Sequence, residues 1–251
     1  MSIITILTDF GSSDSYVAEV KAALLSYAPG ATLVDVSHAV PPGDVRAGQY
    51  LLSRTWGRFP IGTVHLAVID PGVGTPRRAL AAQVSGHRFV GPDNGLLSIL
   101  PDDTRYVSLP VLRDASPTFH ARDVFAPAAA RLAMGARLEE LGPVVADRIA
   151  LPLPGFRVED GLLVGEVLHV DRFGSLVSNV PCEALIRGAH VTVAGGEVGA
   201  LRRTFGDVER GRLVAYCGSG GTVEIAVRDG SAAELLGAGV GARVTAQLGG
   251  R

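Results

Sequence analysis

The chain has only two cysteines, Cys182 and Cys217, and neither lies in a CxxC pair or at a Cys/His spacing that holds zinc. This argues against a structural zinc site and against a disulfide-stapled secreted scaffold, so a cytoplasmic location is expected. Basic runs are missing too: Lys and Arg total 23 against 25 Asp and Glu, for a net charge of −2. With no cationic block there is no electrostatic footprint for nucleic acid or an anionic membrane, which leaves small molecules as the expected partners. No apolar run is long enough to span a bilayer, and Met1-Ser2-Ile3-Ile4-Thr5 lacks the cationic stretch of a secretory leader, so a soluble protein is expected. Internal repeats and low-complexity segments are also lacking.

What is present is ample apolar material, 47% of 251 residues, enough for one large domain or two smaller ones. Ile3 to Leu7 reads as a buried strand that stops at the polar stretch Thr8 to Ser15, and Tyr16 to Tyr27 then takes helical spacing. Asp9 and Asp14 flank that helix entrance, where a carboxylate caps backbone N–H groups or catches ligand hydroxyls and amines; capping is the ordinary role for either alone. Thr32 to Val36 is a second strand, and Pro41-Pro42-Gly43-Asp44 introduces a helix running to about Trp56 with Asp44 as N-cap. Such alternation predicts parallel βαβ units.

The strand Val64 to Ile69 delivers Asp70 straight into Pro71-Gly72-Val73-Gly74-Thr75-Pro76, followed by Arg77 and Arg78. Strand ends of open α/β sheets are where ligands bind, and glycines let a ligand approach the main chain. Arg77 is far enough along to fold back on Asp70, so an acid and a guanidinium can share a pocket and polarise a water; the plainer alternative is a tight turn with a surface ion pair. Leu80 to Val84 and His87 to Val90 read as a hairpin about Ser85-Gly86, Asp93-Asn94-Gly95 as a ligand-sized turn, and Arg105 to Leu109 as a weak strand. His120 stands just before an Ala-rich helix, Val124 to Met134, where a lone histidine is ordinarily a surface or capping residue.

Leu151-Pro152-Leu153-Pro154-Gly155 has the composition of a link, dividing the chain into an α/β domain (1–151, mostly parallel sheet flanked by helices) and a smaller β-barrel domain (152–251). Beyond the link the period shortens toward two and glycine punctuates short strands from Leu162 to Leu248. Phe173 and Phe205 are loop aromatics, either core edge or platforms for a flat base.

Taken together, Thr8-Asp9-Phe10-Gly11, Val34-Asp35-Val36-Ser37-His38, Asp70-Pro71-Gly72-Val73-Gly74-Thr75, Asp93-Asn94-Gly95, Phe119-His120-Ala121-Arg122-Asp123 and Asp171-Arg172-Phe173-Gly174 resemble the S-adenosylmethionine (SAM) hydrolases, or hydroxide adenosyltransferases, relatives of fluorinase and chlorinase. The resemblance covers essentially the whole chain. It implies hydrolysis of SAM to adenosine and methionine with no cofactor or metal, in a homotrimer whose sites lie at subunit interfaces. It also implies a catalytic set Asp70, Arg77 and His120. Asp9 would meet the ribose diol, Asp14 the methionine amino group, Asp171 the adenine and Ser219 the methionine carboxylate; Asn94, Phe173, Ser175 and Phe205 complete the expected substrate contacts. Gly43, Ala121, Ser175 and Thr222 depart from the family's usual residues. An aromatic is common where Gly43 stands, and its loss forfeits ~1 to 3 kcal/mol of burial.

Two rivals remain at this level: a SAM-dependent halogenase on the same fold, and a module that binds SAM or adenosine without turnover. Asp70 disfavours the first, because a carboxylate repels a halide, and the short hairpin lacks fluorinase's insertion. The joint presence of Asp70, Arg77 and His120 disfavours the second.

Overall fold

In the computed structural model, which describes Ser2 to Leu248, the β-branched run at the start of the chain forms β1 (Ile3–Thr8). Its neighbours in chain order are α1 (Tyr16–Tyr27), β2 (Thr32–Ser37), α2 (Val45–Thr55), β3 (Val64–Val68), β4 (Ala79–Val84), β5 (His87–Pro92), β6 (Arg105–Leu109) and α3 (Ala126–Ala133). The strands form one sheet in the order β2-β1-β3-β5-β4-β6. Alternation along each strand sorts its side chains to two buried faces. Ile4, Ile6, Val64, Leu66 and Val68 pack with Val20, Leu24 and the alanines of α3 on one side. Leu7, Ala67, Ile69 and Leu80 pack with Leu52 of α2 on the other.

The sheet is mixed, with three parallel pairings and two antiparallel ones. β2, β1, β3 and β5 pair in parallel, but β4 runs antiparallel to both β5 and β6. The cause is local: Ser85 and Gly86 both take left-handed backbone, φ 50° and 77°, the two-residue turn that folds flanking strands into a hairpin. Asp44 caps α2 as expected, its Oδ1 accepting the Ala47 N–H at 2.9 Å. Neither Asp9 nor Asp14 caps α1, whose N-cap is Ser15, its hydroxyl donating to Glu19 at 2.7 Å rather than accepting a backbone N–H.

A polar chain runs inside the α2 side of this sheet. Thr5 Oγ1 lies 2.8 Å from His65 Nδ1, and His65 Nε2 lies 3.2 Å from His87 Nδ1. Burial first, and the neighbouring His87 second, push His65 down to a pKa of about 3, so both its lone pair and its N–H are spent inside the core.

The glycine-punctuated half supplies β7 (Arg157–Glu159), β8 (Leu162–Val170), β9 (Leu176–Pro181), β10 (His190–Val193), β11 (Gly196–Ala200), β12 (Leu213–Cys217), β13 (Thr222–Val227), α4 (Ala232–Leu236) and β14 (Arg243–Gln247). These strands form an antiparallel sheet in the order β11-β10-β14-β8-β9-β13-β12, with β7 added beside β8. β8 pairs with β14 over Leu162 to Glu166 and with β9 over Val167 to Val170, the latter pairing carrying an irregularity between Val167 and His169. The ends of the path approach one another: the Arg202 N–H, just past β11, donates to the Ala215 carbonyl of β12 at 2.8 Å. The sheet is thus nearly closed and barrel-like around Leu163, Val167, Val191, Ile225 and Val244. Periodicity missed β7 and α4, both short; α4 is held by Ser231, which accepts the Glu234 N–H at 3.1 Å.

Two compact units result, Met1–Leu153 and Pro154–Arg251. Among the described residues no helix is long and apolar enough to cross a membrane. The cysteines correct the sequence reading: Cys182 and Cys217 are joined as a disulfide, Cα atoms 5.9 Å apart. β9 and β12 both flank β13, where Pro181 lies opposite Thr222 and Cys217 opposite Val223, so a pairing remote in sequence is adjacent in the sheet. Thiol titration of the unreduced native protein should find no reactive cysteine. Replacing both with serine should cost on the order of 3 kcal/mol in denaturant unfolding, for a loop of this length; two titratable thiols in the native protein would rule the bond out.

Candidate active site

The parallel register pairs Thr8 with Val68, so the loops after β1 and β3 leave the sheet side by side, the first carrying Asp9 and the second Asp70. Gly72 and Gly74 turn the second loop back. Gly74 takes φ 78°, and a Cβ there would lie 2.8 Å from the Pro117 carbonyl oxygen, so only glycine fits. The return brings Arg77 onto Asp70: Nε donates to Oδ1 at 2.8 Å and Nη2 donates to Oδ2. Both side chains are nearly sealed, 7% and 5% exposed, which removes the surface-ion-pair alternative.

His120 completes the set and is no surface cap. It is 5% exposed and its Nδ1 is 3.0 Å from Arg77 Nη2. A guanidinium has no lone pair to offer, so Nδ1 must accept, and the neutral ring then carries its hydrogen on Nε2. Burial, and after it the Arg77 charge, hold the imidazole below its ordinary pKa, against the weaker pull of Asp70 and Asp123. His120 is therefore neutral at pH 7 and presents a donor. Phe125 lies beneath Arg77, its ring centre 5.2 Å from the guanidinium carbon, and Ala121–Phe125 forms a short π-helical turn.

A cavity of about 470 Å³ opens beside Asp70 and His120. Its other walls include Phe10, Tyr16 and Phe119, whose rings meet edge to face at 5.4 to 6.1 Å. Arg122 lies against this trio, its guanidinium carbon 4.9 Å from the Phe119 ring centre, and is bonded to Asp123 and, at 2.8 Å, to Glu19. This aromatic trio was missed in the sequence reading. The available signal was adjacency: Phe10 follows Asp9, Tyr16 lies two places past Asp14 and Phe119 precedes His120.

The remaining expected contacts divide. Asp9 Oδ2 accepts the Gly43 N–H at 2.8 Å, at the entrance to α2. Asp14 is exposed and takes the Ser13 hydroxyl at 3.5 Å. Asn94 spends its side chain on backbone: Nδ2 donates to the Ile69 carbonyl at 2.8 Å and Oδ1 accepts the Leu96 N–H at 3.1 Å. In the second unit a concavity of about 860 Å³ gathers Asp171, Phe173, Ser175 and Phe205. Asp171 Oδ1 accepts the N–H groups of Phe173 and Ser175 at 2.9 and 2.8 Å. Phe173 and Phe205, 78% and 57% exposed, are not core. Tyr216 joins them unforeseen, its hydroxyl donating to Glu224 at 3.1 Å and pushed up to a pKa of about 12 by burial and that carboxylate. Ser219 is exposed and is not among the residues lining this concavity.

Family models for the SAM hydroxide adenosyltransferase N-terminal domain match residues 4–142, and those for its C-terminal domain match residues 165–245. The chain belongs to the SAM hydroxide adenosyltransferase family. It is 45% identical to the (R)-S-adenosyl-L-methionine hydrolase of Thermus thermophilus, over 92% of this chain and 94% of that one. It is 42% identical to the enzyme of the same name from Salinispora tropica, over 98% of both. A fluorinase from an Actinoplanes species is more distant, 30% identical over 71% of each. The crystal structure of an uncharacterized conserved protein from Thermotoga maritima superposes with a TM-score of 0.90 at 34% identity, covering 97% of this chain and 99% of that one.

Gly43, where the sequence resemblance implies an aromatic, has a backbone constraint. Its φ is 73°, although an added Cβ would meet only Pro71 at an ordinary 3.5 Å. An aromatic there carries roughly 1 to 2 kcal/mol of left-handed strain in the folded protein, with or without a nucleoside bound. Gly43→Phe should therefore lower stability to denaturant unfolding by about that amount. Unchanged stability would show that the loop relaxes.

Proposed function

We propose that this protein hydrolyses SAM to adenosine and L-methionine, by attack of a water held at Asp70, Arg77 and His120 on C5′ of the nucleoside. The observation that carries the reading is the sealed Asp70–Arg77 pair with the donor face of neutral His120 beside it, at the wall of a cavity.

The chemistry suits these groups. In a sulfonium the C5′–S bond is already polarised, and its electron pair departs onto sulfur to leave a neutral thioether, so departure needs neither an acid nor a cofactor. Only the nucleophile needs help. As the water's oxygen bonds to C5′ it must lose a proton. His120 Nδ1 is engaged by Arg77 and Nε2 already bears hydrogen, so the ring orients the water by donation. Asp70, whose oxygens each retain a lone pair beyond the Arg77 bonds, receives the proton, while Arg77 stabilises hydroxide character at the attacking oxygen. Asp9 would then hold the ribose diol and Asp171, Phe173 and Phe205 the base, with Asp14 and Ser219 toward the methionine end.

The two hydrolase relatives are named for the (R) form; since the amino acid is specified as L, that letter describes the sulfonium. Purified protein incubated with each sulfonium epimer and chromatographed should yield adenosine and methionine, and no 5′-halogenated adenosine when chloride or fluoride is added. Asp70→Asn should lower kcat by about 100-fold or more while SAM binding by calorimetry survives. A halogenated product, or near-normal turnover by Asp70→Asn, would overturn the mechanism.

A homotrimer in which a neighbouring subunit completes each site belongs to the same proposal. Light scattering should give three times the chain mass. Asp70→Ala and Asp171→Ala proteins, each nearly inactive, should regain activity after dissociation and joint reassembly; subunit exchange seen by mass spectrometry without recovered turnover would exclude shared sites.

A further inference from the structure

The loop joining Asp70 to Arg77 contains two glycines, and Pro71, Gly74, Thr75 and Pro76 are exposed. The segment is shaped internally by Pro71 and Pro76 and by turn bonds from the Val73 N–H to the Asp70 carbonyl at 3.3 Å and from the Thr75 N–H to the Gly72 carbonyl at 3.1 Å, so the placement of the ion pair across it depends on how its two backbone ends are fixed where they leave the sheet. Both ends are gripped by one turn, Asp93-Asn94-Gly95.

At the first end, the Asn94 amide donates to the carbonyl of Ile69, the residue before Asp70. At the second, Asp93 holds Arg78, the residue after Arg77. Asp93 is 3% exposed; its Oδ2 accepts Arg78 Nε at 2.8 Å, and its own N–H donates to the Arg78 carbonyl at 3.0 Å. Its other oxygen takes the Ile149 N–H at 2.9 Å, and Arg78 reaches on to the Asp147 carboxylate at 2.9 Å and to that residue's carbonyl. The turn is anchored in its own right: the fully buried Gln49 of α2 donates to the Gly95 carbonyl at 2.7 Å. Neither Asp93 nor Asn94 lines the cavity beside Asp70.

We infer that Asp93 and Asn94 are positioning residues, a two-jawed clamp that sets the separation and angle of the Asp70–Arg77 pair by holding the peptide on the outer side of each. This rests on the reading of that pair as the water-activating centre. It reassigns Asn94, which the sequence places among substrate contacts, and gives Asp93 and Arg78 a task in the reaction rather than in binding. An error of about 1 Å at the reacting groups costs roughly 100-fold in rate, so a loosened jaw should be read in kcat and not in affinity.

The test uses the full-length protein carrying Asn94→Ala, Asp93→Asn, Arg78→Lys or Arg78→Ala. SAM turnover by Asn94→Ala and Asp93→Asn should fall about 10- to 100-fold in kcat, with KM and the calorimetric Kd for SAM within about threefold of wild type. Arg78→Lys, which keeps the charge, should retain more activity than Arg78→Ala. Independently of activity, the Arg77 Nε–H proton held by Asp70 should exchange with water at least about tenfold faster in Asn94→Ala than in wild type by nitrogen-15 NMR. If Asp93→Asn does not fold, Asn94→Ala and Arg78→Lys decide the matter by the same readouts. Folded variants with wild-type kcat and unchanged Arg77 exchange overturn the clamp, as does a rise in KM at constant kcat, which would return Asn94 to the substrate. A wild-type protein that leaves SAM intact would instead sink the proposed reaction, while the exchange measurement would still report on the clamp.

Discussion

A sealed ion pair between Asp70 and Arg77 is the constraint around which the first unit is arranged. Removing two charges from water costs several kcal/mol for each, and their attraction repays it only when geometry is good and the leftover hydrogen-bonding capacity is met. Here the guanidinium meets the carboxylate through two nitrogens, donates to His120 and to the Arg78 carbonyl, and covers the Phe125 ring. Such an arrangement is weak as a source of stability and strong as a source of geometry. It makes His120 a hydrogen-bond donor at neutral pH, because the lone pair on Nδ1 is committed to Arg77.

That pair can exist because of strand register. β1 and β3 run in parallel with Thr8 beside Val68, so their carboxyl ends release Asp9 and Asp70 on the same edge of the sheet, the usual place for ligands in open α/β folds. The antiparallel β4–β5 hairpin returns the chain along the same sheet, which puts Arg77 and Arg78 at the start of β4 and Asp93 and Asn94 just past the end of β5. The mixed character of the sheet thus has a consequence for chemistry: a purely parallel arrangement would require a crossover between those two segments and would separate them.

The second unit answers a different physical demand. Its polar and aromatic cluster is exposed where the Asp70–Arg77 pair is sealed. Asp171 uses one oxygen to close its own turn through two backbone N–H groups, which orients the carboxylate without occupying both oxygens. Gly43 has a left-handed backbone and an N–H bond to Asp9 as parts of the local structure, so any side chain placed there carries backbone strain. Nothing in the structure explains Thr222.

Local chemistry was legible in the residues themselves. β-branched runs marked β1 to β3, Asp44 announced the start of α2, Ser85-Gly86 announced the hairpin, and glycine-spaced runs marked most strands of the second half, because period and turn conformation are properties of neighbouring residues. Motifs in order identified the family, and with it the acid, guanidinium and imidazole that meet at one point. Beyond this, spacing carried no information. Whether Asp70 and Arg77 formed a surface pair or a sealed one depended on what packs over them, and which nitrogen of His120 bears hydrogen depended on a residue 43 positions away. The Cys182–Cys217 bond depended on strand order, as did the gathering of Phe10, Tyr16 and Phe119 around one cavity. Asn94 is the clearest instance: in sequence it belongs to a ligand-sized turn, whereas in the fold its amide is consumed by the backbone beside Asp70. Long-range pairing decides which partner a polar group finds, and a linear chain records only which groups are available to be paired.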